Sequence, residues 1–165
     1  VNDEAPELVT ASGVGVEVTA TRPVVAERSM YWPAPYPAWR EAHASVASPL
    51  PASAWAVADG RVGGPSQAET YLVVANPYQP DATVQVTFLR EGGRQPITRS
   101  YVVKATSRLT IGVNGEVPEM ADEAFGARLD VLSGPSVVVE SVLYWNAGGT
   151  WWAAGTAGLG VRLPM

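Results

Sequence analysis

The residues of this sequence that could do chemistry are one histidine and a repeated glutamate. His43 is the only histidine and cysteine is absent, so thiolate catalysis, disulfides and multi-histidine metal sites are excluded. A Ser-His-Asp triad would depend on His43, and no Gly-x-Ser-x-Gly motif accompanies it. Glu27 and Glu140 could act as an acid–base pair on a glycosidic bond, but equivalent positions of a repeat tend to give both carboxylates one environment. We therefore expect no enzymatic activity, no cofactor and no dedicated metal site.

Four aromatic residues are the candidate binding residues. Three prolines stiffen segment 33–40, which displays Tyr36 and Trp39 outside any strand pattern. Trp151 and Trp152 lie between glycines, and because neighbouring residues of a strand face opposite ways, one of the two rings should point outward. Exposed rigid aromatics of this kind stack on sugar rings or dock against another protein chain. The alternative is that they only cover one end of the fold.

Charge and hydropathy exclude two classes of partner. The chain carries 11 basic and 16 acidic residues, a net charge of −5, whereas a nucleic-acid binder needs a basic face. No apolar run approaches the ~18 residues of a membrane-spanning helix, and the first residues lack the pattern of a signal peptide. We expect a soluble chain that binds no nucleic acid and does not insert into a membrane, either mature or cut from a longer protein.

Alternating apolar residues predict the strands that must position these side chains. Residues 83–88 place Val84, Val86 and Phe88 on one face and polar residues on the other, and the same period-two pattern is repeated in three further segments: 14–18, 108–113 and 127–131. The continuous apolar runs 71–75 and 137–139 are short and rich in β-branched residues, which favours central strands.

Turn signals complete an all-β interpretation. Glu91-Gly92-Gly93-Arg94 would join strands at 83–90 and 97–104 into a hairpin. The only helical candidate is about one turn within 118–124, which is too short to form a fold. We therefore predict an antiparallel immunoglobulin-like β-sandwich.

An internal repeat is the most specific pattern in the chain. The segment 27–32, Glu-Arg-Ser-Met-Tyr-Trp, is echoed at 140–145 by Glu-Ser-Val-Leu-Tyr-Trp, and His43–Leu50 aligns loosely with Trp152–Leu159. The period of about 110 residues is the size of one immunoglobulin-like sandwich. We predict a complete repeat over residues 51–165, with an N-terminal strand pair that is repeated at the C-terminus. Residues 1–50 would be the closing strands and proline-rich loop of a preceding repeat, packed on the main body or on another chain.

Several of these segments resemble a family of tandem β-sandwich repeats of unknown function in secreted and cell-surface bacterial proteins, of actinobacterial type. The matching pieces are the following segments of this sequence: Trp55–Gly60, Tyr71–Pro77, Thr83–Leu89, Ser107–Thr110 and Glu27–Trp32. The second copy departs from the pattern at 141–143 and at Trp151-Trp152. The resemblance implies an extracellular or cell-surface modular protein and carries no catalytic or binding residue with it.

The sequence thus favours a non-enzymatic structural or adhesive module of a bacterial extracellular protein, which assembles with other protein chains or with copies of itself. Its contact residues would be Tyr36, Trp39, Trp151 and Trp152. The alternative is a carbohydrate-binding module that uses the same aromatics on a surface glycan.

Overall fold

Two antiparallel sheets pack face to face, and a separate hairpin lies outside them. The structure is a computed structural model and describes residue 5, residues 13–32 and residues 41–164. Its strands in chain order are β1 (Glu27–Trp32), β2 (Glu41–Val46), β3 (Ala54–Arg61), β4 (Glu69–Asn76), β5 (Ala82–Arg90), β6 (Ile97–Val103), β7 (Ser107–Gly112), β8 (Ala124–Ser133), β9 (Val138–Ala147), β10 (Thr150–Leu159) and β11 (Val161–Arg162). One sheet has the order β10-β9-β4-β7 and the other β11-β3-β8-β5-β6, so the predicted antiparallel β-sandwich is confirmed.

The core fills the space between the two sheets because both sheets turn an apolar face inward. Buried and half-buried residues alternate strictly along β4 and along most of β5, as a strand with one core face requires. The largest fully buried side chains are Trp55, Phe88, Leu72, Ile111, Met120 and Leu129. The indole N–H of Trp55 donates to the carbonyl oxygens of Ala52 (3.1 Å) and Val137 (3.0 Å), so this polar group is satisfied inside the core.

Most predicted elements are present. β5 and β6 form the expected hairpin around a short 3-10 turn at Glu91–Gly93, and β4 is a central strand between β9 and β7. The single-turn helix is reduced to a 3-10 turn at Pro118–Met120, preceded by the four-residue helix α1 (Val113–Glu116).

The predicted strand at 14–18 is wrong. This segment has no strand pairing, and Val16 and Val18 are 74% and 58% exposed. Alternation alone does not make a strand, because the segment also needs a partner, and none of the described strands pairs with it. Instead, the chain at Gly13 lies against the side chain of Arg108 on β7, where a Cβ on Gly13 would lie 2.0 Å from Nη1 of Arg108.

The β1–β2 hairpin forms a partial third layer on the four-stranded sheet. Arg28, Met30, His43 and Ser45 share its half-buried face. Arg28 reaches across to Glu140 on β9, with 3.1 Å between Nη2 and Oε2, and β2 lies against β10. In the structure, therefore, the hairpin packs on the main body. The division of the chain into repeat units stays a prediction.

The two hairpins of the repeat have the same register. Glu27 pairs with Val46 and Trp32 with Glu41, while Glu140 pairs with Leu159 and Trp145 with Ala154, all at the offset of 113. The next hydrogen bond is also repeated, since Ala47 N donates to Ala26 O and Gly160 N to Val139 O, each at 2.9 Å. The loose alignment of His43–Leu50 with Trp152–Leu159 is therefore wrong by four residues, because it uses an offset of 109 where the paired strands keep 113.

Candidate functional site

An aromatic stack stands at the start of β10. The Trp151 and Trp152 rings are parallel with centroids 4.1 Å apart, and Trp152 stacks in turn on Tyr144 at 4.5 Å. Tyr71 meets Trp152 and Tyr144 edge-on, both at 6.2 Å. We call Trp151, Trp152, Tyr144 and Tyr71 the aromatic stack. Trp151 is its outer member and is 60% exposed, whereas Tyr144 is only 8% exposed.

A bulge lets two adjacent tryptophans stack. The pairing of β10 with β9 shifts between Thr150 and Ala154, and Trp152 has a φ of +48°. A left-handed residue breaks the alternation of a strand, so the two rings turn to the same side. The prediction that they face opposite ways is therefore wrong, whereas an outward-pointing tryptophan is found in Trp151.

Asn146 holds the bulge in place. Its side-chain Oδ1 accepts the Trp152 N–H at 2.9 Å, and its Nδ2 donates to Oε1 of Gln67 at 2.5 Å. Its backbone N–H donates to the carbonyl of Ser66 at 2.7 Å. Asn146 thus connects the end of β9 to the β3–β4 loop and to the backbone of Trp152.

A cleft of about 470 Å³ opens beside Trp151. Its lining comes from the β3–β4 loop, β4, α1 and the segment before β8, and consists of Gly63, Gly64, Gln67, Glu69, Asn114, Asp122 and Trp151. Backbone bonds at 2.8 Å in both directions between Gly63 and Ala68 close the loop. Asn114 fixes the next turn, since its Nδ2 donates to Ala68 O at 2.9 Å and its Oδ1 accepts from Thr70 N at 3.2 Å.

Acidic and polar side chains line the cleft. Asp122 Oδ1 accepts the Gly64 N–H at 2.7 Å, and Glu69 accepts the phenol proton of Tyr71 at 2.5 Å. Burial and this hydrogen bond to Glu69 raise the pKa of Tyr71 well above its usual range, so the phenol stays a donor. Two carboxylates, two amides and one exposed indole therefore face a common space, a set that can bind a polar ring or a protein side chain.

A second polar cluster lies under the β1–β2 hairpin. Glu140 is ion-paired with Arg28, and both charges act on His43 and Arg108. Burial, together with the nearby positive charge of Arg28, lowers the pKa of His43, and Glu140 partly opposes this shift. The pKa of Arg108 is lowered by the same causes. These groups hold the hairpin against the sheet rather than opening onto a cleft.

The structure separates the two repeated glutamates. Glu140 faces the hairpin through Arg28, whereas Glu27 is the next residue to Arg28 on β1 and lies on the exposed face. The hairpin therefore stands between the two carboxylates. Among the residues that the structure describes, no group of three or more His, Asp or Glu side chains is placed to hold a metal ion.

Of the four predicted contact residues, Trp151 and Trp152 are described and Tyr36 and Trp39 lie outside the described residues. Whether any of them binds a partner stays a prediction. Sequence reasoning missed the cleft residues Glu69, Asn114 and Asp122. The sequence marked some of these segments only as turns. These three side chains come from separate segments of the sequence and come together only in the folded sandwich.

Comparisons with known proteins find a likeness of fold to solved structures and none to a sequence family. No family model matches the sequence, and no curated protein matches it. The crystal structure of Thermotoga maritima 1070 is similar over 68% of this chain and 96% of that chain, with a TM-score of 0.60 and 14% identity. The Anabaena sensory rhodopsin transducer is similar over 56% of this chain and 97% of that one, with a TM-score of 0.46 and 18% identity. Within the described residues, no helix has the length and apolar character needed to cross a bilayer.

Proposed function

We propose that this chain is a non-enzymatic structural or adhesive module of a bacterial extracellular or cell-surface protein, and that it acts through protein–protein assembly. The observation that supports it most is Trp151, a large apolar side chain that is 60% exposed yet held in one orientation by its stack on Trp152. A ring that is already fixed loses little conformational entropy when a partner covers it. Such anchors are typical of the centres of protein interfaces.

The position of Trp151 also suits a contact between chains. β10 is the terminal strand of its sheet, and a strand at a sheet edge can accept further contacts along its backbone. Trp151 is at the beginning of that strand, beside a cleft with carboxylate and amide groups that could pair with polar groups of a partner. An apolar anchor with a polar rim is the usual arrangement of a specific interface.

Light scattering of the purified chain over a concentration series tests this proposal. We expect mass to grow with concentration and Trp151→Ala to weaken association by about thirtyfold, the effect of losing about 2 kcal/mol at an interface anchor. Tyr78→Ala is the matched control, because Tyr78 is 46% exposed and lies outside the aromatic stack. Trp39→Ala in the same series tests the other predicted contact. A wild-type chain that stays monomeric at every concentration would contradict the proposal.

Carbohydrate binding is the second candidate function, and the cleft beside Trp151 favours it. An exposed indole next to Glu69, Asp122, Asn114 and Gln67 combines a stacking platform with hydrogen-bonding groups for sugar hydroxyls. A glycan array with the wild-type chain and with Trp151→Ala separates the two functions. Binding that Trp151→Ala abolishes, in a chain that remains monomeric, would support a carbohydrate-binding module. An array without signal would leave only the assembly proposal.

A further inference from the structure

The two edges of β1 have different surroundings. Among residues 13–32 and 41–164, β1 pairs with β2 on one edge and with no strand on the other. Its counterpart in the repeat, β9, pairs with β10 on one edge and with β4 on the other. The β1–β2 hairpin therefore has the register of β9–β10 but lacks an equivalent of β4.

The hydrogen-bonding groups of β1 point toward that second edge at defined residues. Ala26 O accepts from Ala47 N, so the ladder bonds to β2 are made by Ala26 and every second residue after it. The backbone groups of Glu27 and Ser29 point away from β2. In β9, Val139 O accepts from Gly160 N, so the backbone groups of Glu140 and Val142 point away from β10. These are the residues that pair with β4.

The residue types of β1 agree with β9 at two of the three positions that meet β4, and the third is Ser29 in β1 and Val142 in β9. There, Glu140 stands opposite Val73 and Tyr144 opposite Glu69. The equivalent positions of β1 are Glu27 and Tyr31, which are again glutamate and tyrosine. The positions between them differ, with Arg28 in place of Ser141 and Met30 in place of Leu143. Two of the three identities of the repeat therefore fall on positions that a β4 strand would meet. The third, Trp32 and Trp145, falls on the edge that pairs with β2 or β10.

We infer that the edge of β1 facing away from β2 accepts a strand of the β4 type from another unit of this sandwich. In the register of β9, Glu27 would stand opposite Val73, Ser29 opposite Tyr71 and Tyr31 opposite Glu69 of that unit. The added strand makes main-chain hydrogen bonds and places its own side chains beside Tyr31, which is 54% exposed. This inference goes beyond the proposed function, because it uses a different surface from Trp151.

The occupant follows from the side chains that lie beside the equivalent residues of β9. There, Val142 and Tyr144 are only 7% and 8% exposed and form a small apolar cluster with Tyr71 and Val73 of β4. On the corresponding face of the hairpin, Tyr31 and Val46 are more than half exposed. A strand with the alternation of β4 supplies the tyrosine and valine that this face lacks. The donor unit must be one whose own β4 is not already paired with a closing hairpin.

A peptide with the sequence of residues 68–77 is the probe, and its binding to the full chain is measured by fluorescence anisotropy. Ser29→Pro removes a backbone donor from the accepting edge while leaving the β2 ladder intact, and we expect it to weaken binding about tenfold or more. Ser29→Thr keeps the donor and is the matched control, which should bind like wild type. Trp151→Ala should also leave peptide binding unchanged, which separates this surface from the proposed assembly contact.

Disulfide trapping tests the register, and the absence of native cysteine makes it clean. Ser29→Cys in the chain should cross-link to a peptide with Tyr71→Cys, because directly opposite residues have Cα atoms about 5.5 Å apart. A peptide with Leu72→Cys should not cross-link, since its thiol is on the other face. The inference is overturned if the peptide does not bind at about 1 mM, if Ser29→Pro binds as tightly as wild type, or if both cysteine peptides cross-link equally.

Discussion

Asn146→Ala should loosen the aromatic stack without unfolding the sandwich. The substitution removes two side-chain hydrogen bonds, the one from the Trp152 N–H at 2.9 Å and the one to Gln67 at 2.5 Å. At a net contribution of about 0.5–1.5 kcal/mol each, the free energy of unfolding should fall by about 1–3 kcal/mol. For a domain of this size, that corresponds to a lower melting temperature by about 2–4 °C per kcal/mol.

The specific consequence is a change in the stack itself. Trp152 keeps its φ of +48° against its intrinsic preference, and the Asn146 side chain is the group that receives its N–H. Two parallel indoles 4.1 Å apart give coupled bands in circular dichroism, so Asn146→Ala should reduce that coupling. Asn146→Asp is the matched control, because it keeps the acceptor for Trp152 and loses only the donor to Gln67. Unchanged coupling in Asn146→Ala would refute the idea that Asn146 holds the bulge in place.

Three further predictions concern the rest of the sandwich. The hydrogen bond from Arg90 holds the pKa of Glu123 at about 2, so this pair stabilises the fold fully above the ordinary carboxyl pKa of 4.5 and less as the pH falls toward 2. In Glu123→Gln, the urea concentration at half-unfolding should therefore fall less between pH 4.5 and pH 2 than in the wild type. An equal fall in both proteins would contradict this. Burial and Arg28 lower the pKa of His43, so docking of the β1–β2 hairpin should be complete above pH 6.5 and weaken as the pH falls through that value. Amide protection factors of β1 should show this loss, and His43→Phe should reduce it. Gly134→Ala should destabilise the fold by about 2 kcal/mol or more in urea titrations, because its φ is +88° and a Cβ would lie 2.2 Å from Asp81 O. Gly92→Ala is the control, because Gly92 has a φ of +68° but open space where its Cβ would lie. Its loss of stability therefore measures the backbone strain without a steric clash.

The sandwich could be predicted because many of its strands have one face toward the core and one toward solvent. The alternation in β5 and β8 is a direct consequence of that geometry. The apolar run in β4 has a different cause, because its outer face is half-buried as well. The segment 14–18 has the same alternation and pairs with none of the described strands, so the pattern indicates a possible face and not a pairing.

The candidate site could be predicted only in part. Two adjacent tryptophans signalled an exposed ring, but their stacking depends on a left-handed backbone at Trp152, where the residue type gives no hint of it. The cleft depends on loops that meet across the fold, such as Asp122 against Gly64. Local sequence patterns contain no information on such contacts.

The place where the chain enters and leaves the sandwich bears on how it would carry a mechanical load. β3, its first strand, pairs with β11, its last, and Leu163 N donates to Ala54 O at 3.0 Å. Entry and exit thus lie side by side at one end. Tension applied through the flanking sequence would open this short ladder one hydrogen bond at a time, instead of shearing several at once. A pulled sandwich would therefore begin to open at this end at low force and would lengthen as β11 separates from β3.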